Sequence, residues 1–231
     1  MGRSRRIICP GLIYHVINRG NNQQAIFLEE EDYKHYLNVL DRFKRKYEFK
    51  LFAYCLMTNH VHLLIKVGAK GTISRIMQSI TVAHTRQYHF KYRSNGHVWQ
   101  GRFKSPIVSD DEYLLTVMQY IEQNPARAGL KRVHGDYYWS SYRLNTRIKD
   151  SAFVDRKENS VFEGLGRNLE ERIQTYRDLI ENNLEEGKLK AVRKSVKEGT
   201  SYISERFQKQ MEILLPKKRK RGRPQKEGII I

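Results

Sequence analysis

The spacing of apolar and polar residues over the first half of the chain predicts short strands that alternate with amphipathic helices. Runs rich in aromatic and β-branched residues are typical of strands, and apolar residues that recur every three or four positions are typical of helices. Gly20-Asn21-Asn22 breaks the first strand, and Thr58-Asn59 joins the second and third strands as a hairpin. The predicted elements are a strand at residues 12–18, a helix at 29–47, strands at 51–57 and 60–67, a helix from 72 to about 90, a strand near 103–108 and a helix from 109 or 110 to 124.

The order of these elements is β-α-β-β-α-β followed by one more helix. This order predicts an α+β fold of the ferredoxin-like, split β-α-β type, in which helices pack on an antiparallel sheet. Pro106 indicates that the fourth strand lies at a sheet edge or is irregular at that point. Pro125 is predicted to end the last helix, because the residue before a proline is pushed out of the α region.

The second half of the chain is more polar and more highly charged. Irregular, polar residues near 145–165 predict a boundary, and the pattern after them is helical to about residue 215. The last residues are too charged and too rich in glycine and proline to fold alone. The predicted parts are a domain at residues 1–145, a helical C-terminal region at 150–215 and a disordered basic tail at 216–231.

Charge indicates the class of partner. The chain of 231 residues carries a formal net charge of +18, and it still carries +11 without the seven basic residues of segment 217–226. A chain that is basic throughout is typical of nucleic-acid binding, although a soluble protein that is merely basic has the same composition. Fourteen tyrosines add flat rings of the kind that stack on unpaired bases.

Other bulk features predict a cytoplasmic, bacterial-type, nucleoid-associated protein with no membrane partner. The apolar runs are far shorter than the roughly 20 residues of a membrane helix, and no apolar secretory segment follows the basic N-terminus. The cysteines, Cys9 and Cys55, have neither the spacing of a zinc site nor that of a disulfide framework.

Two histidines on one predicted strand are candidate metal ligands. His60 and His62 are two positions apart, so on a strand they share one face, while Val61, Leu63 and Ile65 point to the other face and its core. Two imidazoles side by side on an exposed sheet face can chelate one divalent metal. The spacing alone also fits two ordinary histidines on a solvent-facing strand.

The predicted last helix of the first domain carries a second pair of candidate residues. Tyr120 and Asn124 are four residues apart and therefore lie on the same side of a helix. Taken alone, this spacing favours a core aromatic at Tyr120 over a functional residue.

Four sequence segments, in consistent order over about residues 8–143, resemble the REP-associated tyrosine transposases. These are single-tyrosine transposases of the HUH (His-hydrophobic-His) nuclease superfamily. One departure is Thr58, which stands where we expect a proline and should alter the hairpin but not the ligands. The segments are Tyr54-Cys55-Leu56-Met57-Thr58-Asn59-His60-Val61-His62-Leu63-Leu64, Trp99-Gln100-Gly101-Arg102-Phe103, Tyr120-Ile121-x-x-Asn124-Pro125-x-Arg127-Ala128-Gly129 and Trp139-Ser140-Ser141.

The resemblance implies a role for each matching residue. His60 and His62 match the metal-binding pair, Tyr120 matches the nucleophile, and Asn124 matches the position that supplies a third, oxygen ligand. The implied ion is Mg²⁺ or Mn²⁺. The implied activity is cleavage and rejoining of single-stranded DNA, at a hairpin or palindromic repeat, through a 5′-phosphotyrosine intermediate, as a step of DNA transposition.

Two alternatives stay open at this stage. One is a replication-initiator-type HUH nickase, which the single candidate tyrosine after the histidine pair and the Trp99–Phe103 segment disfavour. The other is a domesticated, non-catalytic DNA-binding protein or regulator, which the intact candidate residues disfavour. Oligomeric state is also open, since relatives of this type include monomers and dimers with shared active sites.

Several basic residues are candidate DNA contacts. Arg102, Lys104 and Arg127 lie within or beside the matching segments, and solvated surface charge explains them equally well. In the tail, Arg221 and Arg223 belong to an Arg-Gly-Arg-Pro sequence that resembles an AT-hook, a segment that binds the minor groove of A/T-rich duplex DNA. A tail that adds only non-specific affinity is the alternative.

Overall fold

The computed structural model describes residues 7–130 and 134–199. The tail, with Arg221 and Arg223, lies outside the described residues. No helix of the described ranges is long and apolar enough to cross a membrane. The strands and helices are β1 (Ile13–Arg19), α1 (Glu30–Tyr47), β2 (Lys50–Met57), β3 (His60–Lys66), α2 (Ile73–Tyr92), β4 (Ile107–Val108), α3 (Asp111–Glu122), α4 (Asn124–Arg127), α5 (Tyr142–Asn145), α6 (Ser160–Glu163), α7 (Leu169–Glu181) and α8 (Glu186–Glu198).

The strands form one antiparallel sheet in the order β2-β3-β1-β4. This arrangement confirms the predicted α+β, ferredoxin-like fold. Polar side chains fix the starts of the helices that pack on it: Thr72 accepts a hydrogen bond from the backbone of Arg75 at α2, and Asp110 accepts one from Tyr113 at α3. Such caps satisfy backbone donors that have no partner within the helix.

One face of the sheet packs against α1 and α2. Val61, Leu63 and Ile65 of β3 are fully buried in this core, as their alternation predicts. Ile76 and Ile80 of α2 meet them from above and are also fully buried. The histidines of β3 therefore point to the opposite face.

The opposite face of the sheet is covered, and the expectation that it is exposed is wrong. Leu64 of β3 packs into a second apolar core with α3 and with the C-terminal helices α7 and α8. The C-terminal helices can cover the sheet because each carries an apolar stripe on an otherwise charged surface. The buried apolar residues of these stripes are Ile173, Tyr176 and Ile180 of α7 and Val192 of α8.

The fourth strand is shorter than predicted because of its proline. Residues 107–108 pair with β1, and a separate bridge joins Lys104 to Ile17. Pro106 has no N–H to donate, although its carbonyl oxygen accepts a hydrogen bond from the His15 backbone at 3.0 Å. The strand lies at the edge of the sheet, where such an interruption is tolerated.

The predicted last helix of the first domain is divided in two. α3 ends at Glu122, and Asn124 begins the short helix α4. The expectation that Pro125 ends the helical path is wrong, because Pro125 lies in the first turn of α4, where a missing N–H costs no hydrogen bond. Similarly, the helical pattern after residue 169 forms two helices, α7 and α8, within the described residues.

A buried carboxylate ties α3 to the C-terminal region. Glu122 is 1% exposed. Its Oε1 accepts hydrogen bonds from the side chains of Ser141 at 2.7 Å, Asn145 at 3.1 Å and Tyr176 at 3.3 Å. Burial raises the pKa of Glu122 from 4.5 to about 7, against the lowering effect of these hydrogen bonds.

We expect this carboxylate to make stability depend on pH. Its contribution is fully present below the unfolded-state pKa and is lost as pH rises through the folded-state pKa of about 7, because the folded protein must then bury a charge. The loss amounts to about 3 kcal/mol. Urea unfolding of the wild type and of Glu122→Gln at pH 5 to 8 should show the variant gaining stability relative to the wild type as pH rises. Parallel pH profiles for the two proteins would contradict this.

Candidate active site

The predicted site residues meet in one cleft at the ends of β1 and β3. His60, His62, Tyr120 and Asn124, which come from two distant parts of the chain, all line it. We call it the His-Tyr cleft, and its volume is about 460 Å³. The lining residues are Ile17, Asn18, Arg19, His60, His62, Gln100, Arg102, Lys104, Tyr120, Asn124, Arg193, Val196 and Lys197.

The two histidines lie side by side, and the Nδ1 atom of each contacts a neighbouring side chain. Their ring centroids are 5.1 Å apart. The Nδ1 atom of His60 lies 2.6 Å from Oδ1 of Asn59, and the Nδ1 atom of His62 lies 2.9 Å from Nε2 of His15. Each histidine therefore keeps its Nε2 atom for another partner.

Both histidines are neutral near pH 7, as metal ligands must be. Burial lowers the pKa of His60 to about 4, and the charge of Arg19 acts in the same direction. Burial also holds the pKa of His62 well below its usual value, and the neighbouring His60 and His15 rings add to this shift. His62 is 3% exposed, whereas His60 and Asn124 are half-buried.

Asn124 adds a candidate oxygen donor to the two histidines of the His-Tyr cleft. The Asn124 side-chain nitrogen donates to the carbonyl oxygens of Tyr120 at 2.9 Å and Ile121 at 3.4 Å, which leaves its Oδ1 atom for a cation. Among the described residues, no group of three or more His, Cys, Asp or Glu side chains could hold a metal. Two imidazoles and one amide oxygen are three candidate donors, which is an open set and not the closed set of four ligands that a structural site has.

Tyr120 lies directly against the histidines. Its ring meets the rings of His62 and His15 edge-on, at centroid distances of 5.7 Å and 5.8 Å. The ring is 8% exposed. Burial raises the pKa of its hydroxyl, and the positive charges of Arg127, Arg193 and Arg19 act against that shift.

The predicted phosphate contacts divide into two groups. Arg102 and Lys104 line the cleft, and the Lys104 ammonium also donates to the carbonyl oxygen of Lys197 at 2.6 Å, which ties α8 to the cleft. Arg127 does not line the cleft. Its guanidinium lies 4.5 Å above the Tyr120 ring and donates to the Tyr120 carbonyl oxygen, so it holds the tyrosine in place.

Arg19, Gln100 and Arg193 are among the lining residues that the sequence did not single out. Arg19 ends β1 directly opposite His60 in the strand register, and a basic residue at the end of a strand before Gly20 is the signal that could have found it. Gln100 belongs to the Trp-Gln-Gly-Arg-Phe segment, whose match to the family is the signal that could have found it. Arg193 comes from α8, whose many exposed charges give no signal for any single one.

Comparisons with known proteins relate this chain to transposases. The family model described as "Transposase IS200 like" matches residues 9–124. A Haemophilus influenzae protein, provisionally named a REP-associated tyrosine transposase, is 28% identical over 114 residues, which cover 45% of this chain and 64% of the relative. The match therefore spans less than two thirds of that relative's length.

A solved structure has the same fold. It is described as a REP-associated tyrosine transposase bound to a REP hairpin, and it matches with a TM-score of 0.54 at 18% identity. The match covers 68% of this chain and 98% of the other. Together with the family model and the Haemophilus relative, it confirms the resemblance that the four sequence segments indicate.

Proposed function

This chain belongs to the family of IS200-like transposases, and we propose that it cleaves and rejoins single-stranded DNA with Tyr120 as the nucleophile. The observation that carries the proposal is the meeting of Tyr120 with His60, His62 and Asn124 in one cleft. A hydroxyl nucleophile beside a metal-ligand set is an arrangement suited to attack on a phosphodiester.

The proposed reaction exchanges one phosphoester for another. The phenolic oxygen of Tyr120 bonds to phosphorus, the bond from phosphorus to the 3′ oxygen breaks, and the released strand ends in a 3′-OH. The phenol loses one proton and the leaving oxygen gains one, so the step is balanced. Since the 5′-phosphotyrosine keeps the ester energy, a 3′-OH can attack it and rejoin DNA without ATP.

The histidines and Asn124 would hold the metal. His60 and His62 offer neutral Nε2 atoms, and Asn124 offers its Oδ1 atom. Bound Mg²⁺ or Mn²⁺ would withdraw charge from a non-bridging phosphate oxygen and orient the scissile bond.

Positive side chains prepare Tyr120 for attack. A tyrosine hydroxyl has an unperturbed pKa of about 10 and attacks poorly while it keeps its proton. Burial raises that pKa further, so Arg127, Arg193 and Arg19 are needed to favour the phenolate. Arg19 and Arg193 also line the cleft, where they can bind the incoming phosphate.

We propose that the substrate is a hairpin formed by a palindromic repeat, and that its cleavage is a step of transposition. The similar solved protein is described as bound to a REP hairpin, which supports this choice. One chain holds the nucleophile and the metal-ligand candidates in the same cleft, which supports action of Tyr120 in cis.

Strand cleavage and rejoining test the proposal together. A pool of end-labelled single-stranded hairpins is incubated with the full chain and Mn²⁺, and then a second strand with a free 3′-OH is added. We expect shortened strands first and strands of new length after the addition, with neither product in EDTA. Tight binding without cleavage across a broad pool would instead indicate a domesticated DNA-binding protein.

Arg193 provides a separate prediction about the C-terminal region. We expect Arg193→Ala to slow cleavage by about 10- to 100-fold, because a positive charge that faces the reacting phosphate is lost. Lys194→Ala is the matched control, since Lys194 is exposed on the same helix and does not line the cleft. The cleavage rates of both variants are measured on a labelled hairpin. An equal loss of cleavage rate in both would mean that α8 contributes only general positive charge.

The tail provides a prediction about duplex DNA. If Arg221 and Arg223 bind the minor groove as an AT-hook, deletion of residues 217–231 should weaken binding to A/T-rich duplexes more than to G/C-rich ones. Binding curves at one salt concentration compare the two duplexes. An equal loss on both would leave only non-specific attraction.

A further inference from the structure

His15 on β1 lies behind the metal-ligand candidate His62. In the register of the sheet Ile17 is opposite His62, so His15 is the diagonal neighbour of His62 on the same face. Its side chain is 1% exposed and does not line the His-Tyr cleft. Its Nε2 atom lies 2.9 Å from Nδ1 of His62, and the two rings are 5.1 Å apart.

The short contact between two ring nitrogens couples the tautomer of His15 to that of His62. A hydrogen bond between them holds one proton, so one nitrogen donates and the other accepts. If His62 is to offer a lone pair on Nε2, its proton must be on Nδ1, and Nδ1 must donate to His15. The Nε2 atom of His15 then accepts, and the proton of His15 is on its own Nδ1 atom.

We propose that His15 is a positioning residue that holds His62 in the tautomer and orientation that bind the catalytic metal. This inference rests on the proposed function. Metal-bound histidines characteristically donate their second ring N–H to a fixed acceptor. Asn59 supplies that acceptor for His60 at 2.6 Å, and His15 supplies it for His62.

Two features exclude a role for His15 as a further ligand of the same ion. Its Nε2 atom is occupied by His62. Its Nδ1 atom is buried and has no hydrogen-bond partner among the described residues, and the ring lies beneath the cleft without lining it. The His15 backbone N–H donates to Pro106 at 3.0 Å, which anchors this position between β1 and the edge strand.

Mn²⁺ binding by the full chain, without DNA, tests the inference. Free Mn²⁺ is measured by electron paramagnetic resonance during a titration. We expect His15→Leu to raise the dissociation constant by about 10- to 100-fold, as loss of an orienting partner typically does. His15→Gln should stay close to the wild type, because its Oε1 atom can accept a hydrogen bond near the position of the lost Nε2 atom. His84→Leu, the same change at a buried histidine of the other core, should leave Mn²⁺ affinity unchanged.

Side-chain ¹⁵N NMR of the metal-free protein shows which ring nitrogen of His62 carries the proton. Substitution of His15 would not change that position if His15 had only a structural role. We expect the His62 proton on Nδ1 in the wild type and in His15→Gln, and a shift of that proton toward Nε2 in His15→Leu. A wild-type His62 with its proton on Nε2 would overturn the inference. If Mn²⁺ binding needs His62 but not His15, the inference about His15 is wrong and the proposed metal site stands. If Mn²⁺ binding needs neither histidine, the proposed metal site is wrong as well.

Discussion

Tyr120→Phe is expected to abolish cleavage of a single-stranded hairpin, with a loss of about 1,000-fold or more. The substitution removes only the hydroxyl oxygen that bonds to phosphorus. The ring contacts with His62 and His15 and the overlying Arg127 guanidinium do not involve that oxygen, so the cleft should keep its shape. Binding of the hairpin should therefore persist while cleavage is lost, which a gel-shift measurement alongside the cleavage measurement will show.

Tyr113→Phe is the matched control for this prediction. Tyr113 lies on the same helix, α3, is 8% exposed like Tyr120 and does not line the His-Tyr cleft. Its variant should cleave at a rate close to that of the wild type. A Tyr120→Phe protein that still forms a covalent DNA adduct would show that another residue is the nucleophile.

His62→Ala is expected to lower Mn²⁺-dependent cleavage by at least about 100-fold. The variant loses one Nε2 ligand and leaves His15 without the ring that it contacts. The fold should survive, because α3 and the C-terminal helices still cover this face of the sheet. Cleavage rates at increasing Mn²⁺, measured together with a thermal melt, separate loss of the metal from loss of the fold.

A second buried histidine gives the control for His62→Ala. His84 is 2% exposed, and its Nε2 atom lies 3.0 Å from the carbonyl oxygen of Ile26, in the core on the other side of the sheet. His84→Ala should lower the melting temperature and leave the Mn²⁺ dependence of cleavage unchanged. If both variants lose activity only in proportion to their stability, the assignment of His62 as a ligand is wrong.

Local sequence patterns were enough to predict the strands of the sheet and the face of the sheet on which each residue of β3 lies. The period of two along β3 separated His60 and His62 from Val61, Leu63 and Ile65, and the structure keeps that separation. The order of strands and helices likewise predicted the ferredoxin-like antiparallel sheet that the structure has. These features depend on residues that are close together in the chain, which is why a single sequence carries them.

The cover over the site could not be predicted in the same way. Arg193, Val196 and Lys197 of α8 line the cleft together with His62, and the charged sequence of α8 does not indicate which face of the sheet the helix docks on. Arg193 enters the cleft only through that docking. The contact between His15 and His62 depends on the strand register, which fixes pairs that are far apart in sequence.

Mass spectrometry of the protein–DNA adduct tests the central claim most directly. The full chain is incubated with a hairpin and Mn²⁺, then digested with nuclease and trypsin. One expected tryptic peptide, residues 105–127, contains both Tyr113 and Tyr120, so fragmentation must distinguish them. We expect a nucleotide attached through phosphate to Tyr120 in the wild type and no adduct in Tyr120→Phe. A nucleotide on Tyr113 or on any other residue, or cleaved DNA without any protein adduct, would contradict the proposed mechanism.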